Sequence, residues 1–178
     1  MRRILRVSLG VIPALLVCAV VGAQSIGEGG DYGIATLVGG TTTNNNAAAG
    51  AIGEIITGTA ALDSVGSWTT NTAKNVTSIS LTAGDWDVYG KIAWAGATTG
   101  TYTIASISAT SATLGTDEVT QGYAAAPFLS QANSRFTQEA GPYRASLAST
   151  TTIYLVGQEG FTVGTPAVGG FLRARRVR

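Results

Sequence analysis

The chain is patterned most clearly between residues 77 and 94. Trp86, Val88, Ile92 and Trp94 fall on one face of an extended segment, and Asp87, Tyr89 and Lys91 fall on the other. Apolar and polar faces alternating at period two predict a half-buried strand of an antiparallel sheet, with those four residues in the core. Just before it, Thr77, Ile79 and Leu81 alternate with Ser78 and Ser80, and Ala83-Gly84-Asp85 supplies the turn between two strands. Further strands are predicted over 101–108, 142–149, 151–158, 160–163 and 168–178, separated by clusters of Gly, Thr and Asn. No segment sustains a 3.6-residue period. Strand-plus-turn spacing of this kind predicts an all-β fold, an antiparallel sandwich or barrel. The longest interruption, Ala109 to Ala140, reads as a functional surface loop.

Composition then removes most catalytic chemistry. Ala, Thr and Gly supply 27, 25 and 24 of the 178 residues, only 12% are charged, histidine is absent and Cys18 is the single cysteine. Without an imidazole there is no Ser-His-Asp or Cys-His site. One sulfur allows neither a Cys/His zinc site nor a disulfide framework. Asp85 and Asp87 flank Trp86, and alternation puts both carboxylates on the face away from the indole. They offer too few oxygens for a calcium ion, which takes about six to eight, and a glycosidase pair has the same residue types. A turn-capping Asp85 beside a solvated Asp87 is the plainer reading. The chain is therefore expected to be non-catalytic, with no cofactor and no metal.

The N-terminal segment has a different character. Arg2, Arg3 and Arg6 precede an uncharged run of 17 residues, Val7 to Ala23, broken by Gly10 and Pro13. That is the order of a secretory signal, with Val21 and Ala23 at the small-residue exit, and it falls short of the roughly 20 apolar residues of a spanning helix. Residues 1–23 are thus read as a signal-like leader. Residues 24–50, rich in Gly, Asn and Thr, are read as an extended arm or linker, either an attachment to a partner or a flexible spacer. Without the leader, eight basic residues stand against ten acidic ones, a net charge of −2. Four of those eight, Arg173, Arg175, Arg176 and Arg178, lie in the last six residues. Basic character this local gives little support to a nucleic-acid partner.

Longer segments carry a resemblance. The run 71–88, which ends Leu81-Thr82-Ala83-Gly84-Asp85-Trp86-Asp87-Val88, resembles a module of tailed-bacteriophage fibre and virion proteins. Ser149 to Val156 resembles its penultimate strand, Gly170 to Arg178 its arginine-rich final strand, and Ala51 to Ile56 its opening strand. More distantly, 83–89 and 169–172 are similar to signature strands of the trimeric complement and tumour-necrosis-factor jelly rolls. The resemblance covers residues 51–178. It implies a jelly-roll domain there, a homotrimer with inner strands about a threefold axis, and a virion-surface or tail-fibre protein that presents loops to a host-surface glycan or protein. On that reading the arm contacts other virion proteins.

Two groups of residues are candidates for those contacts. Tyr123, Phe128, Arg135, Phe136, Tyr143 and Arg144 gather in or beside the long loop, and aromatic residues with arginine are hot-spot chemistry. In the final strand, Phe171, Arg173, Arg175 and Val177 alternate with Leu172, Ala174 and Arg176. Arg173, Arg175 and Arg176 are candidates for pairing with carboxylates across a subunit boundary, or for guarding an edge strand against aggregation. Two other assignments stay open: a capsid decoration protein that clamps the shell, and a secreted bacterial carbohydrate-binding or adhesion module, which would account for the leader.

Overall fold

The alternation is realised as eight strands: β1 (Ile55–Ala60), β2 (Lys74–Leu81), β3 (Gly84–Ala95), β4 (Thr99–Ser108), β5 (Ala124–Pro127), β6 (Arg135–Leu147), β7 (Thr151–Val163) and β8 (Ala167–Arg176). The computed structural model describes residues 46–97, 99–116, 123–127 and 135–178, and no helix occurs among them. These residues belong to one compact unit, 38–178. The leader 1–23 and the arm as far as residue 45 lie outside the described residues.

Two four-stranded sheets form, in the orders β1-β8-β3-β6 and β2-β7-β4-β5. The pairing is nested and antiparallel throughout: β1 with β8, β2 with β7, β3 with β6, β4 with β5. Contacts of β3 with β8 and of β4 with β7 complete the sheets. The inward faces meet in one core, giving a β-sandwich. From β3 come Trp86, Val88, Ile92 and Trp94, each no more than 1% exposed. Leu172 and Ala174 enter from β8, Ile79 and Leu81 from β2, Ala105 and Ile107 from β4, and Ile153 and Leu155 from β7. The Trp86 indole N–H also donates to the Thr82 carbonyl at 3.0 Å, so its polar atom is satisfied.

Two bulges shift the inward parity. In β2 the register slips between Asn75 and Thr77, and the extra residue, Val76, joins the core. In β6 the slip opposite Val88 and Gly90 falls at Gly141-Pro142, with Gly141 at φ 105°. Phe136, Gln138 and Ala140 face inward before it, and Tyr143, Ala145 and Leu147 after it.

Several expected boundaries move. The predicted 109–140 loop contains β5 and the first six residues of β6, and 109–116 folds back on the outer side of β4. There the Gly115 N–H donates to Ser106 Oγ at 2.7 Å and the Ala112 N–H to Asn75 Oδ1 at 2.7 Å. The segments 151–158 and 160–163 are one strand. Its glycines mark close approach rather than a break: a Cβ on Gly157 would lie 3.0 Å from the rings of both Trp68 and Trp94. The first strand begins at Ile55, not Ala51. Residues 46–50 of the arm are bound to this domain itself, through Asn46, whose side chain exchanges two 2.8 Å hydrogen bonds with the Ile55 backbone.

Candidate functional site

Period two turns a second set of side chains outward from the β1-β8-β3-β6 sheet. Tyr89 lies opposite Arg173 across the β3–β8 pair, Asp87 opposite Arg175, and Lys91 opposite both Phe171 and Glu139. The rings of Tyr89 and Phe171 are 5.8 Å apart, and the Arg173 guanidinium lies 5.9 Å from the Phe171 centroid. Lys91 Nζ is 3.5 Å from Glu139 Oε1. The Tyr89 hydroxyl donates to Glu139, which holds that carboxyl below its ordinary range with help from Lys91 and pushes the Tyr89 hydroxyl up. Arg173 and Arg175 are exposed, and neither forms an ion pair among the described residues. The face therefore offers an aromatic pair, two unpaired guanidiniums and a charged rim.

Arg176 departs from the expected grouping. It occupies the last inward position of β8, is 5% exposed, and its guanidinium lies 4.2 Å from the Trp86 ring centroid. Nε donates to Glu54 Oε2 at 3.1 Å, Nη1 to the Ala83 carbonyl at 2.8 Å, and Nη2 to Thr82 Oγ1. These partners come from 54 and 82–83 of its own chain, so within the domain Arg176 acts as an internal clamp. Glu54 also accepts the Gly50 N–H at 2.8 Å. That hydrogen bond, and then Arg176, hold its carboxyl below the usual range.

Asp85, read as a turn cap, is 4% exposed, and its carboxylate is held by side chains from elsewhere in the sheet. Arg144 Nη2 lies 3.2 Å from its Oδ2, and Arg178 Nε binds the same oxygen. The Ser146 hydroxyl opposite it on β6, then Arg178 and Arg144, hold its carboxyl at about 2. Asp87 is exposed. Among the described residues, no group of three His, Cys, Asp or Glu could hold a metal ion.

The expected contact loop does not gather in one place. Phe128 lies outside the described residues, and Tyr123 is half-buried just before β5. Arg135 and Phe136 belong to β6 instead of the loop, because this segment pairs along β3, and Tyr143 and Arg144 follow in the same strand. Phe136 stacks on Trp94 at 6.4 Å, and Tyr143 packs against the core. Arg144 is drawn to Asp85. Arg135 remains exposed beside a hollow of about 430 Å³ lined by Leu62, Ala93, Trp94, Phe136 and Thr137.

Two further buried acids, Glu54 and Glu159, belong to no motif in the sequence. Glu54 precedes the first strand and carries no local signal. Glu159 does carry one: it continues the inward alternation Ile153-Leu155-Gly157, and period two alone places it inside. It is fully buried. No family model, curated protein or solved structure matches this chain.

Proposed function

We propose that this chain is a non-catalytic surface protein of a tailed bacteriophage, of tail-fibre or surface-fibre type. Its sandwich is a jelly roll that assembles as a homotrimer and holds the virion to a host-surface glycan or protein. Support for the jelly roll comes from the nested order of strand pairs and the two sheets β1-β8-β3-β6 and β2-β7-β4-β5, an arrangement of eight strands and two Greek keys. The observation that carries the assembly is the outward face of the β1-β8-β3-β6 sheet. A contiguous aromatic pair, Tyr89 and Phe171, lies beside the exposed Arg173 and Arg175, which have no ion-pair partner among the described residues; this is the composition of an interface centre within a polar rim. Three copies on one axis turn shallow individual contacts into durable attachment by raising the effective concentration of the second and third sites.

The mass of the full chain in solution, by light scattering on a size-exclusion column, tests the assembly. The expected mass is three times 18.0 kDa, or three times that of the processed chain if the leader is removed. Arg173→Glu with Arg175→Glu is expected to yield monomers of unchanged circular dichroism. Antibodies against the domain should label the tail or fibres of phage particles. Label spread over the capsid would replace this reading with shell decoration. A monomer released by uninfected bacteria would replace it with a secreted module.

A further inference from the structure

The end of the sandwich opposite Arg176 holds an acid of the contrary kind. Glu159 points inward from β7, is 0% exposed, and among the described residues neither carboxylate oxygen forms a hydrogen bond of ordinary geometry, although the Ala97 amide lies close enough to pull on the carboxyl. Directly across the β4–β7 pair stands Thr103, also fully buried and with its Oγ1 unpartnered. The indole N–H groups of Trp68 and Trp94 and the Oε1 of Gln138 are buried at the same end and lack partners too. Native interiors leave few such atoms, and a group of them at one place calls for an explanation.

The segment closing this end is the 61–73 connection between β1 and β2. Its Trp68 inserts edge-on against Trp94, with centroids 5.4 Å apart and planes at 64°. The same connection is fastened to the stretch of β7 that carries Glu159. The Asn71 N–H donates to the Glu159 carbonyl at 2.9 Å, and the Phe161 N–H donates to Thr70 Oγ1 at 2.9 Å. On the outer side the Tyr102 hydroxyl donates to Asn71 Oδ1 at 2.8 Å. Among the described residues no cation forms an ion pair with the carboxyl: Thr103 of β4 stands opposite it, the Ala97 amide acts on it from the connection after β3, and Trp94, Gln138 and Trp68 are buried at the same end. The ionisable groups at this end lie outward. Asp63 and Arg135 are exposed, and the Lys74 ammonium donates to the Ser67 carbonyl and lies 5.9 Å from the Trp68 ring centroid.

We propose that Glu159 is a proton-operated latch for the 61–73 connection. As a carboxylic acid it stays dry and Trp68 seals the end of the sandwich; as a carboxylate it admits water and the connection is released. Ionising a carboxyl in a dry interior is costly, whereas a hydrated opening removes that cost. Burial raises the carboxyl to about 7, against the opposing pull of the Ala97 amide. The closed form therefore holds the proton more tightly than the open form. Its advantage is complete below the ordinary value of 4.5, falls tenfold per pH unit above that, and is lost by about 7. The opening constant is expected to rise roughly 300-fold across this range, the span of those two values.

The test uses the full chain labelled with 5-fluorotryptophan, together with amide exchange corrected for its intrinsic pH dependence. The Trp68 fluorine resonance is expected to titrate near neutral pH while Trp86, at the far end, stays fixed. The Asn71 amide should lose protection over the same interval while the Ile92 amide keeps it. Glu159→Gln and Glu159→Leu should both abolish the titration and leave the connection closed at pH 8. The latch is overturned if Trp68 does not titrate, if either variant titrates as the parent does, or if Ile92 opens in step with Asn71.

Discussion

Arg176→Met is the most informative single change to the internal clamp. Methionine keeps the apolar stem over Trp86 but removes all five guanidinium donors. Three hydrogen bonds go, to Glu54, Ala83 and Thr82. The Glu54 carboxylate, 7% exposed, keeps only the Gly50 N–H. Breaking a buried pair by removing one partner costs about 3–5 kcal/mol. The lost cation–π contact at 4.2 Å adds about 1 kcal/mol. The clamp lies at the end of the sandwich, where water can reach a freed Glu54 after small movements, so the total is set at about 3–4 kcal/mol. Glu54→Gln retains an acceptor for Nε and should cost about 1–2 kcal/mol. In the double variant the orphaned carboxylate is gone, and the cost should fall short of the sum of the singles by about 1–3 kcal/mol. Urea unfolding followed by tryptophan emission, at one protein concentration and pH 7, measures all four states. Strict additivity, or an Arg176→Met variant within about 0.5 kcal/mol of the parent, would refute the clamp. A variant that loses only its oligomeric state would return Arg176 to the subunit boundary.

Three further outcomes can be checked on the same protein. Trp86→Ala removes a fully buried indole and should destabilise the domain by about 3–5 kcal/mol, read from the urea midpoint; an unchanged midpoint would contradict the inward assignment. Gly169→Ala would place a Cβ 2.6 Å from the Leu62 backbone N, so the chain crossing there must shift and the Asp63 amide, bonded to the Val168 carbonyl, should lose exchange protection. Asp85 has its carboxyl depressed to about 2 from 3.8, so its contribution is complete above 3.8 and is lost as pH falls through about 2. Asp85→Asn should therefore narrow the stability gap between pH 5 and pH 2 in acid unfolding curves, and a parent-like gap would remove Asp85 from the account.

Alternation determined the β class and the inward face of β3, because a strand's period of two is written residue by residue and one face must leave water. It also put Arg173 and Arg175 on the face opposite Leu172 and Ala174. The sandwich order of the strands was not local information: nested pairing joins residues such as Ile55 and Arg175, far apart in the chain. Bulges at Val76 and at Gly141-Pro142 reversed the inward parity partway along β2 and β6, which is why the first half of β6 reads as loop in a window of sequence. Gly157 falls inside the predicted strand 151–158 without a signal of its own, and only the packing shows it to be the space that two indole rings require. Charge type was legible and charge partnership was not. Alternation sets Arg176 on the face of Leu172 and Ala174 and Arg175 on the other, but a local window gives no reason to bury a guanidinium: only the arrival of Glu54, Thr82 and Ala83 from other parts of the chain gives it enough acceptors to leave water.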